Sequence, residues 1–275
     1  LKSRSGPVLS VRGLSLDAGQ RQIVHDLSFA VGRGERVCLL GESGSGKSLT
    51  AGAVLGLLPA NINLKGSIAV AGHEVSRLPA PLRPASARVA MVFQDSYSAL
   101  NPLVSIGSQL QEPLRRRQGL GAMDARIRAV ELLAAMGLPN PEDMLRRCPP
   151  EISGGQRQRA CIALALACKT SLLVADEPTT ALDVVTQAQV LRALKAGTEE
   201  PDAPGLLFIT HDLGAAAQLC DRAIIIKDGA IVEAGDLAAV LAAPRHDYTR
   251  RLIAAAQAGS IDRASPSAYS AAGTA

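Results

Sequence analysis

The chain has 275 residues, 47% hydrophobic and 20% charged, enough for a sizeable core in one large domain or two small ones. Aromatic residues make up 2% (no Trp, three Tyr, three Phe), which argues against a single-stranded nucleic-acid binder built on stacking platforms, and no nucleic-acid partner is expected. The net charge is +4, and the densest basic run, Arg115-Arg116-Arg117, reads either as a solvated helix face or as a contact with acidic lipid or a partner.

Residues 8–15 and 23–31 alternate loosely and predict strands, broken by "DAGQ". "ERVCLLG" is a continuous apolar strand that runs into a glycine loop, and "KSLTAGAVLGLLP" predicts a helix ending at Pro59. "SIAVAGHEV" and "ARVAMVFQ" predict two more strands. From residue 95 the texture changes: Pro and Arg become frequent, and "MDARIRAVELLAAMGL" has helical spacing, so a helical insertion is expected over 95–160. "SLLVAD" and "GLLFITH" then predict short buried strands, followed by the helices "TQAQVLRALKAG" and "LGAAAQLC". "AIIIKDGAIVEAG" predicts a hairpin turning at Asp228-Gly229. The stretch from Gly259 onward is small, polar and aperiodic, and disorder is expected there. The organisation is therefore 1–94 and 161–245 as two parts of one α/β core, 95–160 as the insertion, and 246–275 as a tail.

Five cysteines are scattered without a Cys-x-x-Cys pair. Cys38, Cys161 and Cys168 lie in apolar runs and read as buried thiols of a reducing compartment, with Cys148 and Cys220 elsewhere. No signal-peptide pattern opens the chain, and the longest apolar run, 160–168, is far short of the roughly twenty residues that span a bilayer.

"GESGSGKS", residues 41–48, matches G-x-x-x-x-G-K-[ST] between a predicted strand and a predicted helix. Gly41, Gly44 and Gly46 let backbone N–H groups turn inward around a β-phosphate, with Glu42, Ser43, Ser45 and Leu49 completing the cradle, and the helix start adds its positive end. Lys47 can reach the β- and γ-phosphates, and the Ser48 hydroxyl can ligate Mg²⁺. "SLLVADEP" carries Asp176 to a strand tip, suited to Mg²⁺ through water, and Glu177 next to it, suited to polarise an attacking water; adjacent carboxylates at a solvated strand end are the alternative. A second anion cradle, Ser153, Gly154 and Gly155 in "EISGGQRQRA", opens a basic, apolar helix.

In this order the motifs resemble the nucleotide-binding subunits of ABC transporters, over about residues 8 to 253. "ISGGQ" is similar to that superfamily's LSGGQ signature, with Ile152 in place of Leu. The resemblance implies a P-loop NTPase (RecA-like) α/β core, an antiparallel β subdomain and a helical insertion carrying the signature. It implies ATP and Mg²⁺ as ligands, and ATP hydrolysis coupled to transport. It also implies head-to-tail pairing of two cassettes, so that Ser153, Gly154, Gly155 and Gln156 face the γ-phosphate held by the partner's phosphate loop. Gln94 matches the Q-loop glutamine (Mg²⁺, the attacking water, the link to the membrane subunits). His211 matches the switch histidine, Asp183 the D-loop, and residues 148–151 the segment that contacts the membrane domains. The aromatic residue that stacks on adenine has no counterpart: Ala18 occupies that place, with Arg21 as a substitute, which implies weak base selectivity.

"SALNP" and "RHDYTRRL" resemble the peptide and nickel importer branch, the second matching an H-x-Y-T-x-x-L pattern. With no cysteine after Cys220, no iron–sulfur cluster of the kind carried by many relatives is expected. Nickel or a metal chelate is the first reading of the solute and short peptides the alternative; a soluble, non-transport ABC ATPase is a remote third. The implied partners are a second, different ATPase subunit, two transmembrane permease subunits and an extracytoplasmic solute-binding protein, with this subunit on the cytoplasmic face of the inner membrane.

Overall fold

The structure, a computed structural model, describes residues 6–93, 99–180, 182–199 and 203–264. Two sheets organise it. Strands β1 (Leu9–Ala18), β2 (Arg21–Val31), β4 (Ile62–Val70) and β5 (His73–Glu74) form an antiparallel sheet in the order β2-β1-β4-β5. Strands β3 (Arg36–Leu40), β6 (Val89–Val92), β7 (Leu172–Asp176), β8 (Gly205–Thr210), β9 (Arg222–Lys227) and β10 (Ala230–Asp236) form a second sheet in the order β10-β9-β3-β8-β7-β6. All of its neighbours are parallel except the β9–β10 hairpin.

The central strands are apolar along their whole length because both faces are covered. Val37, Leu39, Leu172, Val174, Leu207 and Ile209 face one core, shared with the antiparallel sheet and helix α1 (Lys47–Leu55). Cys38, Leu40, Leu173, Ala175, Leu206 and Phe208 face the other. That second core is closed by α2 (Ile106–Gln118), α3 (Ala122–Ala135), α4 (Pro141–Met144), α5 (Gly154–Ala167), α6 (Val184–Gly197), α7 (Leu213–Leu219) and α8 (Leu237–Ala242). Phe208 and Leu40 are fully buried, and burying one such side chain stabilises the fold by roughly 1.5–3 kcal/mol. Among the described residues no helix is long and apolar enough to cross a membrane.

Several boundaries differ from the sequence reading. β1 continues through Asp17 and Ala18, so the first hairpin turns on Gly19 and Gln20 alone. "SIAVAGHEV" is two strands joined at Ala71 (φ 48°) and Gly72 (φ 80°), the two left-handed residues of a tight hairpin. Helix α1 stops at Leu55 because Gly56 (φ 73°) caps it, before Pro59 is reached. Helix α5 runs unbroken past residue 160, where the insertion was expected to end. Helix α9 (Asp247–Ala264) carries regular backbone past Gly259, against the disorder expected over 259–264. Cys38, Cys161 and Cys220 are buried, whereas Cys168, at the end of α5, is half-buried. The Arg115–Arg117 run is exposed on the last turn of α2, where cations favour the negative end of the helix, and Arg116 lies 3.4 Å from Glu112.

Candidate functional site

Strands β3, β8 and β7 lie side by side and run parallel, so the chain leaves all three at one edge of the sheet. The glycine loop leaves β3, Asp176 ends β7, and His211 follows β8. Such an edge, outside the carboxyl ends of parallel strands, is where open α/β sheets form their crevices.

The loop is squeezed against its surroundings. A Cβ on Gly41 would strike the Ile226 carbonyl, and one on Gly46 (φ 98°) would meet Val24 Cγ2 at 2.9 Å. Gly229 (φ 77°), at the β9–β10 turn, accepts from the His25 N–H at 2.8 Å and so ties the two sheets together beside the loop. Glu42, Ser43 and Gly44 are exposed, Ser45 and Gly46 are buried, and Leu49 turns away to pack on the core shared with the antiparallel sheet. Lys47 is 6% exposed, and its ammonium donates to the Gly41 and Glu42 carbonyls at 2.8 and 2.7 Å. Burial pulls the Lys47 pKa below the lysine range, although Glu177, Asp176 and Glu42 push the other way.

Asp176 is buried at the tip of β7, touched by the Ser48 hydroxyl, and burial raises its pKa. Its Oδ1 has no hydrogen-bond partner among the described residues. A buried carboxylate oxygen without a donor, beside a serine hydroxyl, suits a hard cation better than an ordinary protein contact. Among the described residues no three His, Cys, Asp or Glu side chains cluster as a metal cage. Phosphate oxygens would therefore have to complete the coordination, as they commonly do for Mg²⁺.

Glu177 adopts a left-handed backbone (φ 45°), rare for a non-glycine residue and a frequent mark of functional sites. Its N–H is anchored on the Ile209 carbonyl at 2.9 Å. One carboxylate oxygen lies 2.9 Å from His211 Nδ1, and the other accepts from the Thr180 hydroxyl at 3.0 Å. Burial pushes the Glu177 pKa up, but these two hydrogen bonds, together with the electrostatic pull of His211 and Lys47, outweigh it and hold the carboxyl below its usual range.

The second cradle stands apart. Ser153 caps α5: its Oγ accepts from the Gln156 N–H at 3.3 Å, while Gln156 Oε1 accepts from the Ser153 N–H at 3.0 Å. Ser153 and Gly154 are exposed, and among the described residues no hydrogen bond joins residues 153–156 to the loop at 41–49. Asp183 caps α6, accepting from the Val185 and Thr186 N–H groups at 3.1 and 3.0 Å, and the Thr186 hydroxyl lowers its pKa. Val184 and Val185 beside it are 77% and 68% exposed. Gln94, with Ser98 of "SALNP", lies outside the described residues.

Three further residues hold the site together and were not singled out in the sequence. Gln158 is buried and donates to the Pro178 carbonyl at 3.0 Å and the Phe93 carbonyl at 3.4 Å, tying α5 to the segments after Glu177 and before Gln94. Arg157 donates twice to the Pro149 carbonyl, fixing residues 148–151 on the same helix. Thr180 steadies Glu177. The pointer available in the sequence was the pair of polar residues continuing "GGQRQRA" into an apolar helix.

Comparison with known proteins bears on this geometry. Residues 24–180 match the family model described as ABC transporter. The chain is also 40% identical over 265 residues to the "Probable D,D-dipeptide transport ATP-binding protein DdpD" of Escherichia coli, covering 94% of this chain and 80% of that protein. The chain belongs to the ABC transporter family. It is an ATP-binding cassette of the ATPase type, and the fold expected from the sequence is the one found. Two longer relatives are the "Peptidoglycan transport ATP-binding protein YejF" of Agrobacterium fabrum (43% identity, 94% of this chain) and the "Glutathione import ATP-binding protein GsiA" of Escherichia coli (40%, 91%). The cassette spans only 48% and 42% of those two proteins. Among solved structures, a dimeric bacterial ABC transporter cassette matches 83% of this chain and 98% of its own with a TM-score of 0.72 at 27% identity. The ATP-binding subunit of an ABC transporter matches 91% and 99% with a TM-score of 0.74 at 25% identity.

Proposed function

We propose that this cassette is the ATP-hydrolysing subunit of an importer for short, peptide-like solutes. The observation that carries the reading is the match of 40% identity to a D,D-dipeptide transport protein, over 94% of this chain and 80% of that one. The nickel reading gains no support from the relatives named above, whose names describe peptide-type cargo, and the peptide alternative is preferred. Uptake of labelled dipeptide and of labelled nickel in a strain lacking this gene decides between them. Dipeptide uptake should fall with nickel uptake unchanged; the reverse pattern would restore nickel.

In the proposed cycle two cassettes pair head to tail, and the mate is a second ATPase subunit. Each ATP lies between one subunit's loop at 41–48 and the other's Ser153, Gly154, Gly155 and Gln156, whose helix-start N–H groups suit a γ-phosphate. Asp183, flanked by exposed valines, sits in the same interface. Ser48 and the unpartnered Oδ1 of Asp176 would hold Mg²⁺, with Gln94, and the bound ion supplies charge neutralisation at the phosphate oxygens. Glu177 takes the proton of the attacking water, and His211, 2.9 Å from it, positions that carboxylate and reaches the γ-phosphate. Two permease subunits and an extracytoplasmic binding protein complete the importer, with this subunit on the cytoplasmic side of the membrane. The permeases are engaged through the region around Gln94 and residues 148–151.

Base selectivity is expected to be weak. Ala18 ends β1 and pairs with the exposed Arg21 across the hairpin, so a flexible guanidinium replaces a fixed aromatic ring. ATP and GTP should be hydrolysed at comparable rates under saturating nucleotide; a strong preference for ATP would contradict the assignment of Ala18.

A further inference from the structure

The "HDYT" segment of the C-terminal tail is not used by the phosphate chemistry, yet it reaches the phosphate loop. Tyr248, in the first turn of α9, is 2% exposed, and its hydroxyl accepts a hydrogen bond from the Glu42 N–H at 2.9 Å, across 206 residues of sequence. Glu42 is the residue whose carbonyl accepts from Lys47 at 2.7 Å and from the Ser45 N–H at 3.3 Å. The tail and the catalytic lysine thus grip one residue from its two ends, N–H and C=O.

The tail is itself fixed. Glu233 on β10 accepts from the Arg245 and His246 N–H groups at 2.9 and 3.1 Å, and His246 Nδ1 accepts from the Tyr248 N–H at 3.1 Å. The Lys227 ammonium lies 5.6 Å from the centroid of the Tyr248 ring, and Thr249 beside it is fully buried. The tyrosine is therefore held at its backbone, its ring and its hydroxyl, and through the hydroxyl it touches the phosphate loop.

We infer that Tyr248 is a positioning residue for the phosphate loop, through which the docking of helix α9 sets nucleotide affinity. Held by a rigid neighbour, the loop gives up less conformational freedom when a triphosphate arrives, and affinity rises without any contact between Tyr248 and the nucleotide. The inference rests on ATP binding by the cassette and not on what is transported, so the outcome of the uptake experiment leaves it untouched.

Tyr248→Phe keeps the ring and removes the hydroxyl. In the full chain the dissociation constant for ATP, by calorimetric titration, should rise about threefold to tenfold, the range for one lost neutral hydrogen bond, with kcat at saturating ATP changed less than about twofold. Thermal stability should stay close to wild type, because the ring still fills its site. Unchanged affinity, or a loss of stability with affinity intact, would show that Tyr248 only docks the helix and would overturn the inference. A second reading needs no variant: in the wild-type protein the Glu42 amide should exchange with deuterium slowly for an exposed loop residue. Exchange as fast as at Ser43 and Gly44 would also overturn it.

Discussion

A Glu177→Gln cassette is expected to bind ATP with wild-type affinity and to release phosphate at less than about 1% of the wild-type rate, the loss typical of removing a general base. The amide has the size of the carboxylate and can keep both of its contacts, accepting from the Thr180 hydroxyl and donating to His211 Nδ1. The left-handed backbone at residue 177 and its anchor on Ile209 are also unchanged. What disappears is the lone basic site, so binding and catalysis separate. The same contacts hold the Glu177 pKa below its usual range, so the base is ionised at neutral pH. Loss of turnover from protonating this carboxylate should therefore appear only on acidification below the ordinary glutamate range. Phosphate release together with calorimetric ATP binding checks this; near-normal turnover would remove Glu177 as the base.

Lys47→Ala should act differently, weakening ATP binding by at least about tenfold and turnover by at least about a hundredfold, because it removes ground-state and transition-state charge neutralisation together. It also withdraws the donor from the Gly41 and Glu42 carbonyls, the first of which belongs to a buried residue. An unsatisfied buried acceptor costs about 1–3 kcal/mol, which adds a looser loop to the lost cation. Titration of the variant with ATP is the check, and unchanged affinity would contradict the role given to Lys47.

Much of the crevice was legible because its parts are local. The glycine loop, its lysine and its helix occupy one unbroken stretch, residues 41–55, and the geometry they need leaves few alternatives at those positions. Asp176 and Glu177 were legible for the same reason, at the end of an unbroken apolar strand. Misreadings arose where local preference was overridden or silent. Ala71 carries a left-handed backbone that alanine does not advertise, so one predicted strand proved to be a hairpin. Gly56 ends α1 before Pro59 can. Residues 259–264 are small and aperiodic, yet they extend α9.

The contacts that assemble the site from distant segments were the least legible. Gln158 meets Phe93 and Pro178 across 65 and 20 residues, and Tyr248 meets Glu42 across 206. No window of sequence contains both partners of such a pair, so the fold has to be known before the residue stands out. The relation proposed between Ser153 and a triphosphate would be of this kind too, because it would span two molecules.

Vanadate can take the place of the γ-phosphate after one turnover, and ultraviolet light then cleaves the backbone it touches. In the assembled transporter, trapping with ATP and vanadate followed by irradiation should cut this chain at two places: within residues 41–48, and at residues 153–155. Cuts confined to the loop at 41–48 would mean that the serine–glycine turn never meets a nucleotide, and the shared site proposed for the two cassettes would be wrong.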